Sequence, residues 1–535
     1  MADQLRWDYL SCYGAEHIDT PHLDWLANKG MRFDRAYVQS PICGPSRMSF
    51  YTGRYVRSHG STWNGFPLRV GEATLGDHLR ELGIRCSLVG KTHMTPDVEG
   101  MNRLGIDPQS TIGALVSECG FDVFVRDDGT NATLYPNRHG EDYDQYLRDH
   151  GMDGENPWEE WANTAIDAHG EPVSGWMLEN APYAARVPKE HSETSWLTTR
   201  GIEYIEAQGD QPWLCHLSYI KPHWPYLAPA PYNDMYSASD LPPPNRSEEE
   251  RRSDHPLMQA WMDMRVSQTF SRDDIRALVA PVYMGLIKEL DDQMGRLFTY
   301  LKESGRIDDT MIVFCSDHGD NMGDHWLGEK DLFHDCSARV PLLIYDPRSS
   351  ADSTRGTVTD QLVEAVDLAP TFIEYFGGSN KPHLIEGRSL APLLHGQVSE
   401  AKDWRTYCVS EYDYATRDAR RAVGVDQGDA RLVMIFDGRW KYIHVEKMRP
   451  MLFDLQTDPN ELTDLATDPA FASELERLAE LHFEWSRKHH NRTTVTAEKV
   501  EKMTDGKEPP GILIGFVNRE EVDQHGREFP SHVKR

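Results

Sequence analysis

No stretch of this 535-residue chain approaches the roughly 20 consecutive apolar residues that a membrane-spanning helix needs, so no membrane partner is expected. The start, Met1-Ala2-Asp3-Gln4, lacks the basic and apolar regions of a secretion signal, and the expected location is cytoplasmic. Cysteine is scarce. Eight residues with no CxxC pair give neither a zinc ribbon nor a dense disulfide framework, and reduced thiols are expected. Positive charge is also short: 56 Lys and Arg stand against 86 Asp and Glu, a net charge of -30. Nucleic acid and anionic surfaces, which need basic patches, are therefore excluded as partners. A small anionic substrate is not excluded, because salt screens surface charge beyond about 8 Å and a cationic pocket holding a metal would still capture it.

What is present is globular. Hydrophobic residues make up 39% and charged residues 27%, and the length exceeds what one small core supports, so one large domain and a smaller one are expected. Thr20-Pro21 followed by an apolar stripe and Gly30 predicts a helix. Phe33 to Val38 reads as a strand, with Cys43 in the loop after it and Ser46 to Tyr51 starting the next helix. A helix around Thr74 to Leu82, strands at Cys86 to Val89 and Trp213 to Ile220, a helix from Val282 to Lys302 and a strand at Met311 to Cys315 continue the alternation. Such alternation predicts an α/β sheet covered on both faces, with functional groups beyond the carboxyl ends of strands.

After about Glu400 the pattern changes to a hairpin, Arg431 to Phe436 and Trp440 to Val445 around Asp437-Gly438, and a helix from Phe471 to Lys488. The expected division is 1–400 for the catalytic domain, 401–490 for an α+β subdomain and 491–535 for a tail. The apolar segment Gly511 to Val517 in that tail suggests self-association into a dimer or tetramer.

Cys43-Gly44-Pro45-Ser46-Arg47, followed by Thr52-Gly53-Arg54, supplies seven specified identities within twelve positions, all those quoted except Gly44. The plain alternative is a free buried thiol acting as a small hydrophobe. The pattern resembles the signature of the type I sulfatases, whose cysteine is oxidised to formylglycine by a maturation enzyme. Val366-Asp367-Leu368-Ala369-Pro370-Thr371, Gly387-Arg388-Ser389-Leu390 and Leu452-Phe453-Asp454-Leu455 are similar to further landmarks of that family, and the resemblance covers about Asp3 to Lys488. It implies an alkaline-phosphatase-like fold, a large mixed sheet sandwiched by helices with a smaller C-terminal α+β domain.

The resemblance also implies a site. Asp3-Gln4 and Asp317-His318 resemble the two metal-binding pairs, joined by the modified Cys43, around one divalent ion, Ca2+ or Mn2+. His318 stands where Asn is commoner, and a histidine ligand moves preference from calcium toward manganese. Only Met1 and Ala2 precede Asp3, where relatives have an apolar strand: either that strand is missing or the true start lies upstream, and a ligand so near a free terminus is expected to be held loosely. Arg47, four residues after Cys43, would hold ester oxygens on the same helix face. Gly90-Lys91-Thr92-His93 is similar to an element in which Lys91 contacts the ester and His93 acts as a base. Pro222-His223-Trp224-Pro225 supplies His223 as an acid, Lys330 a second lysine, and Asn64 a substrate-contacting amide or simply a turn residue.

The expected function is hydrolysis of small sulfate monoesters with metal and formylglycine. The nearest alternative is a phosphonate monoester or phosphodiester hydrolase on the same site. An alternative of another class is a non-catalytic binder of sulfated ligands.

Overall fold

The structure is a computed structural model describing residues 1–130, 141–398, 404–488, 493–504 and 517–524. Helix α1, Pro21–Lys29, has the expected proline at its first turn and buries Leu23 and Leu26. Gly30 ends it against the sheet, where a Cβ would lie 2.2 Å from the Ile344 carbonyl oxygen; only glycine fits. The predicted strand after it is split: β1 is Met31–Phe33, and Ala36–Tyr37 pairs separately with Val363–Glu364.

Helix α2, Cys43–Thr52, begins at the cysteine itself, which corrects the expectation of a loop there. Gly44 and Pro45 read as breakers, yet proline at a helix's first turn costs nothing because that N–H has no intrahelical partner. Strands β2 (Arg85–Gly90), β3 (Asp122–Arg126) and β4 (Trp213–Ser218) follow, then helix α3 (Asp273–Glu303), β5 (Ile312–Cys315), β6 (Leu342–Tyr345) and β7 (Thr357–Thr359). Helix α3 starts nine residues before the expected Val282 and runs through Pro281. Proline forfeits one backbone bond there, but Val279, Ala280, Val282 and Tyr283 on either side are all buried, and this packing outweighs the loss.

The strands form two half-sheets. One has the order β3-β2-β4, all parallel; the other has the order β7-β1-β6-β5, with β6 antiparallel to both neighbours. Residues 1–3 lie between the carboxyl ends of β4 and β5 and bond to both. The Met1 ammonium donates to the Leu217 carbonyl at 2.8 Å, Tyr219 N–H to the Met1 carbonyl at 2.9 Å, and Ala2 N–H to the Cys315 carbonyl at 2.9 Å. Behind Met1 the slot between the half-sheets opens into a cavity of about 670 Å³ lined by both strands. Trp213 to Leu217 are consequently only half-buried, which is unusual for a strand flanked by helices.

The C-terminal part is an antiparallel meander of β8 (Cys408–Asp413), β9 (Arg431–Phe436), β10 (Trp440–Val445) and β11 (Met451–Asp454). The β9–β10 hairpin has the predicted bounds, with Gly438 at φ 94° in its turn, and helix α4, Ala472–Lys488, buries Leu478 and Trp485 against it. The expected divisions at 400 and 490 and residues 511–516 of the apolar tail segment lie outside the described residues. Among the described residues no helix is long and apolar enough to cross a membrane.

The slot generates a prediction. Each buried Val or Ile contributes about 1.5–3 kcal/mol, against about 1–2 kcal/mol for ordering its backbone. A variant with five valine and isoleucine residues added ahead of Met1 is expected to melt several degrees higher and to bind less of an apolar dye than the chain beginning at Met1. The same extension made of Lys and Asp is expected to give no gain.

Candidate active site

The site lies beyond the carboxyl ends of β2, β4 and β5 and at the amino end of α2, the end of an α/β sheet where functional groups ordinarily gather. Strand β5 delivers Ser316, Asp317 and His318; β2 delivers Lys91 through Gly90, which has φ 109° and where a Cβ would lie 2.0 Å from the Ser218 carbonyl oxygen, so only glycine fits. Asp3, Gln4, Cys43, Arg47, Asp317 and His318 are all fully buried. Asp3 is not held loosely: its backbone is bridged to Pro222, and its carboxylate takes the Lys91 ammonium and the Arg47 guanidinium, the latter at 3.2 Å.

Arg47 is the hub. Its Nε donates to Asp317 Oδ2 at 2.7 Å, Nη2 to Asp3, and Nη1 to the Lys91 carbonyl at 2.9 Å and Ser218 Oγ at 2.8 Å. The other Asp317 oxygen accepts from the backbone N–H groups of Gln4 and His318, both at 3.0 Å. Gln4, at φ 64°, turns its amide inward; Nε2 donates to Tyr226 and Asp320, while Oε1 accepts from Lys330 at 3.0 Å. His318 donates from Nδ1 to the Gly319 carbonyl at 2.8 Å, which points Nε2 at Cys43 Sγ, 3.0 Å away. The Lys330 ammonium lies 3.2 Å from that sulfur and 3.1 Å from His223 Nε2.

The charges act on one another strongly. Burial pushes the Cys43 thiol up, but Lys330, His318 and Lys91 more than offset it and hold it well below the usual thiol range. Burial likewise opposes protonation of His318, yet the neighbouring Asp317 and Cys43 raise it to about 9. His223 goes the other way: burial and then Lys330 lower it to about 3. The expectation that His223 is itself the protonated acid is therefore corrected. Its Nδ1 donates to the Trp224 carbonyl at 2.6 Å, so the ring is neutral and Nε2 accepts from Lys330. Lys330 is only 5% exposed and is not a surface lysine.

A divalent ion fits the donors present. Ligand atoms of Asp3, Cys43, Asp317 and His318 all lie within 4.8 Å of one another, the Gln4 amide oxygen faces the same space, and His318 is oriented by its second nitrogen in the way of ligating histidines.

Residues 1–378 match the family described as Sulfatase. The chain belongs to the sulfatase family. Residues 323–488 also match the C-terminal region described for N-sulphoglucosamine sulphohydrolase. The chain is 34% identical over 517 residues to the multifunctional alkaline phosphatase superfamily protein PehA of Trinickia caryophylli, covering 92% of this chain and 95% of that protein. It is 28% identical over 504 residues to an arylsulfatase of Clostridium perfringens, covering 90% and 92%. Among solved structures it resembles the phosphonate monoester hydrolases of Silicibacter pomeroyi, with TM-score 0.80, 29% identity and 93% and 97% of the two chains covered, and of Agrobacterium radiobacter, with 0.79, 30%, 92% and 95%. Sulfatase-family enzymes generally use a metal ion and formylglycine.

Two residues named from the sequence stand apart from the cluster in this sulfatase-family fold. His93, at φ 56°, has its backbone N–H 3.4 Å from Asp128, and among the described residues no hydrogen bond joins its ring to Cys43. Asn64 accepts the Gly44 N–H on Oδ1 at 2.7 Å, steadying the first turn of α2. Tyr226, Asp320 and Ser218 were missed as supports. Tyr226 directly follows the Pro222-His223-Trp224-Pro225 motif and Asp320 lies two residues after His318, whereas Ser218 carries no local signal.

Replacing Arg47 by Met leaves Asp3 and Asp317 buried with one cation fewer, a loss typically costing about 3–5 kcal/mol. Chemical denaturation of the R47M variant is expected to show a destabilisation of that size, and an unchanged midpoint would remove Arg47 as the organising contact.

Proposed function

We propose that this chain is a formylglycine- and divalent-metal-dependent hydrolase of sulfate monoesters, with Cys43 as the modified residue. The observation that carries it is the placement of Cys43 at the first turn of a buried helix, in contact with His318 and Lys330 and within 4.8 Å of both metal-type carboxylates. A formylglycine at Cys43 supplies a hydrated aldehyde, one oxygen to attack and a second to expel the product. A metal held by Asp3, Gln4, Asp317 and His318 supplies Lewis-acid stabilisation of charge on the transferred group.

The chain's own residues supply the rest. Lys91 and Lys330 present ammonium groups to non-bridging oxygens, and Arg47 holds the two carboxylates in place. As the bond from sulfur to the alcohol oxygen breaks, that oxygen takes a proton from Lys330 Nζ, which His223 Nε2 aims. His93 stands outside the Cys43 contacts, but among the described residues its buried Nδ1 has no hydrogen-bond partner, which leaves it available as the base for product release once substrate is bound. A formylglycine-generating enzyme is the maturation partner this requires.

The second reading is a phosphonate monoester or phosphodiester hydrolase on the same residues, favoured by the two similar solved structures, both phosphonate monoester hydrolases. Lys91 and His93 tilt the assignment to sulfate.

The tryptic peptide Ala36 to Arg47, from protein made in its own host or beside a formylglycine-generating enzyme, is expected to have lost hydrogen sulfide and gained one oxygen by mass. That protein should cleave aryl sulfates faster than phenyl phosphonate monoesters and aryl phosphodiesters. Turnover of only the last two would transfer the function to the second reading.

Metal binding should also depend on pH with a definite sign. With Cys43 unmodified, the metal-free His318 holds its proton up to about 9 and a ligating Nε2 must lose it, so that form of the chain is expected to bind Mn2+ more tightly at pH 8 than at pH 6 and to release a proton near pH 7. Calorimetry in buffers of different ionisation enthalpy reads that proton directly; an affinity independent of pH would remove His318 from the ligand set.

A further inference from the structure

Lys221 ends the segment that follows β4 and directly precedes the loop carrying His223. Its ammonium donates to the Pro225 carbonyl at 2.8 Å and to the His223 carbonyl at 3.2 Å, clasping the loop on both sides of Trp224. The Trp224 carbonyl between them is the acceptor for His223 Nδ1–H. That bond decides which ring nitrogen carries the proton and leaves Nε2 as the acceptor facing Lys330. A lysine this close to carboxylates ordinarily takes one as a partner. Glu193 and Glu289 line the same small cavity, yet among the described residues Lys221 makes no ion pair. Those two acids are engaged elsewhere, Glu193 by the Trp158 indole N–H at 2.8 Å and Glu289 by the Ser192 hydroxyl at 2.5 Å. The ammonium is thereby left to the loop carbonyls.

We propose that Lys221 is a positioning residue for leaving-group protonation. By holding the His223 and Pro225 carbonyls it fixes the Trp224 carbonyl, which selects the His223 tautomer and aims Nε2 at Lys330. It touches neither substrate nor reacting atoms. The inference rests on the proposed role of the His223–Lys330 pair and adds the group that sets the geometry of that pair.

Leaving-group dependence separates this role from a merely structural one. An ester of a weakly acidic phenol needs proton donation as its bond breaks, whereas a nitrophenyl ester leaves almost unaided, and acid–base assistance is worth about 10²–10⁴-fold in rate. Partial misalignment should therefore cost K221M about tenfold in kcat on the phenyl ester and less than about threefold on the nitrophenyl ester, with KM little changed. K221R, which restores the donor, should recover most of the loss. Equal losses on the two esters, or none, would overturn the proposal.

A second readout is independent of turnover. Nitrogen NMR of the His223 ring should show the single Nδ1–H tautomer in the full wild-type chain and a mixture in K221M. Retention of the single tautomer in K221M overturns the positioning role even where the enzyme is active. If the wild type cleaves neither sulfate nor phosphonate esters, the functional reading fails while the tautomer measurement still decides the role of Lys221. Should K221M lose its thermal unfolding transition, K221Q takes its place in both measurements.

Discussion

One guanidinium gathers the carboxyl ends of four chain segments. Arg47 reaches Asp3 from the amino-terminal segment, the Lys91 carbonyl after β2, Ser218 at the end of β4 and Asp317 after β5. Its planar fork supplies donors in fixed directions, which a lysine in the same place could not reproduce. Because the two half-sheets touch through residues 1–3 at this end, Arg47 also ties together halves whose strands diverge around a cavity. Three other site residues are positioned through this contact: Asp317 fixes Gln4 and His318 through their backbone N–H groups, and Asp3 fixes Lys91.

Burying so many charges is stable only while they remain matched. Arg47, Lys91 and Lys330 stand against Asp3, Asp317 and a thiol whose ionisation those cations favour. In the proposed function, conversion of Cys43 to an aldehyde removes one anion from this set and leaves cations in excess beside the new carbonyl. The same chemistry that creates the nucleophile thus prepares the pocket for an anionic ester. The strongly acidic chain as a whole does not oppose this, since the field of distant surface carboxylates is screened while that of buried neighbours is not.

The local features were legible in the sequence because their causes are local. The β9–β10 hairpin follows from strand-forming residues around Asp437-Gly438, and α1 from its proline, apolar stripe and closing glycine. Cys43 was misplaced by the same kind of reasoning, since Gly44 and Pro45 look like loop residues and only the first-turn position makes them helical. The grip on Asp3 was illegible for a different reason: its side chain is held by Arg47 and Lys91 and its segment by Leu217 and Pro222, residues distant in sequence that no window on Met1 to Gln4 can display. The protonation of His223 was likewise set by distant Lys330 and by burial, so its residue type alone suggested an acid where the fold makes it an acceptor.

Charge does not distinguish sulfate esters from phosphonate monoesters and phosphodiesters, because all three are monoanions. What differs is the number of non-bridging oxygens, three on the sulfate and two on the others, whose remaining position is a carbon or a second ester oxygen. Each donor aimed at the transferred group therefore acts as a counter of oxygens. In the proposed function Lys330 and a metal would serve two of these oxygens, and Lys91, held by Asp3 just after β2, would serve the third. An ammonium facing an alkyl or ester substituent would lose hydrogen bonds on binding, and an unmet buried cation is costly. In the proposed function, discrimination between sulfate and phosphonate esters would therefore reside at Lys91, and not in the carboxylates and imidazole that would hold the metal.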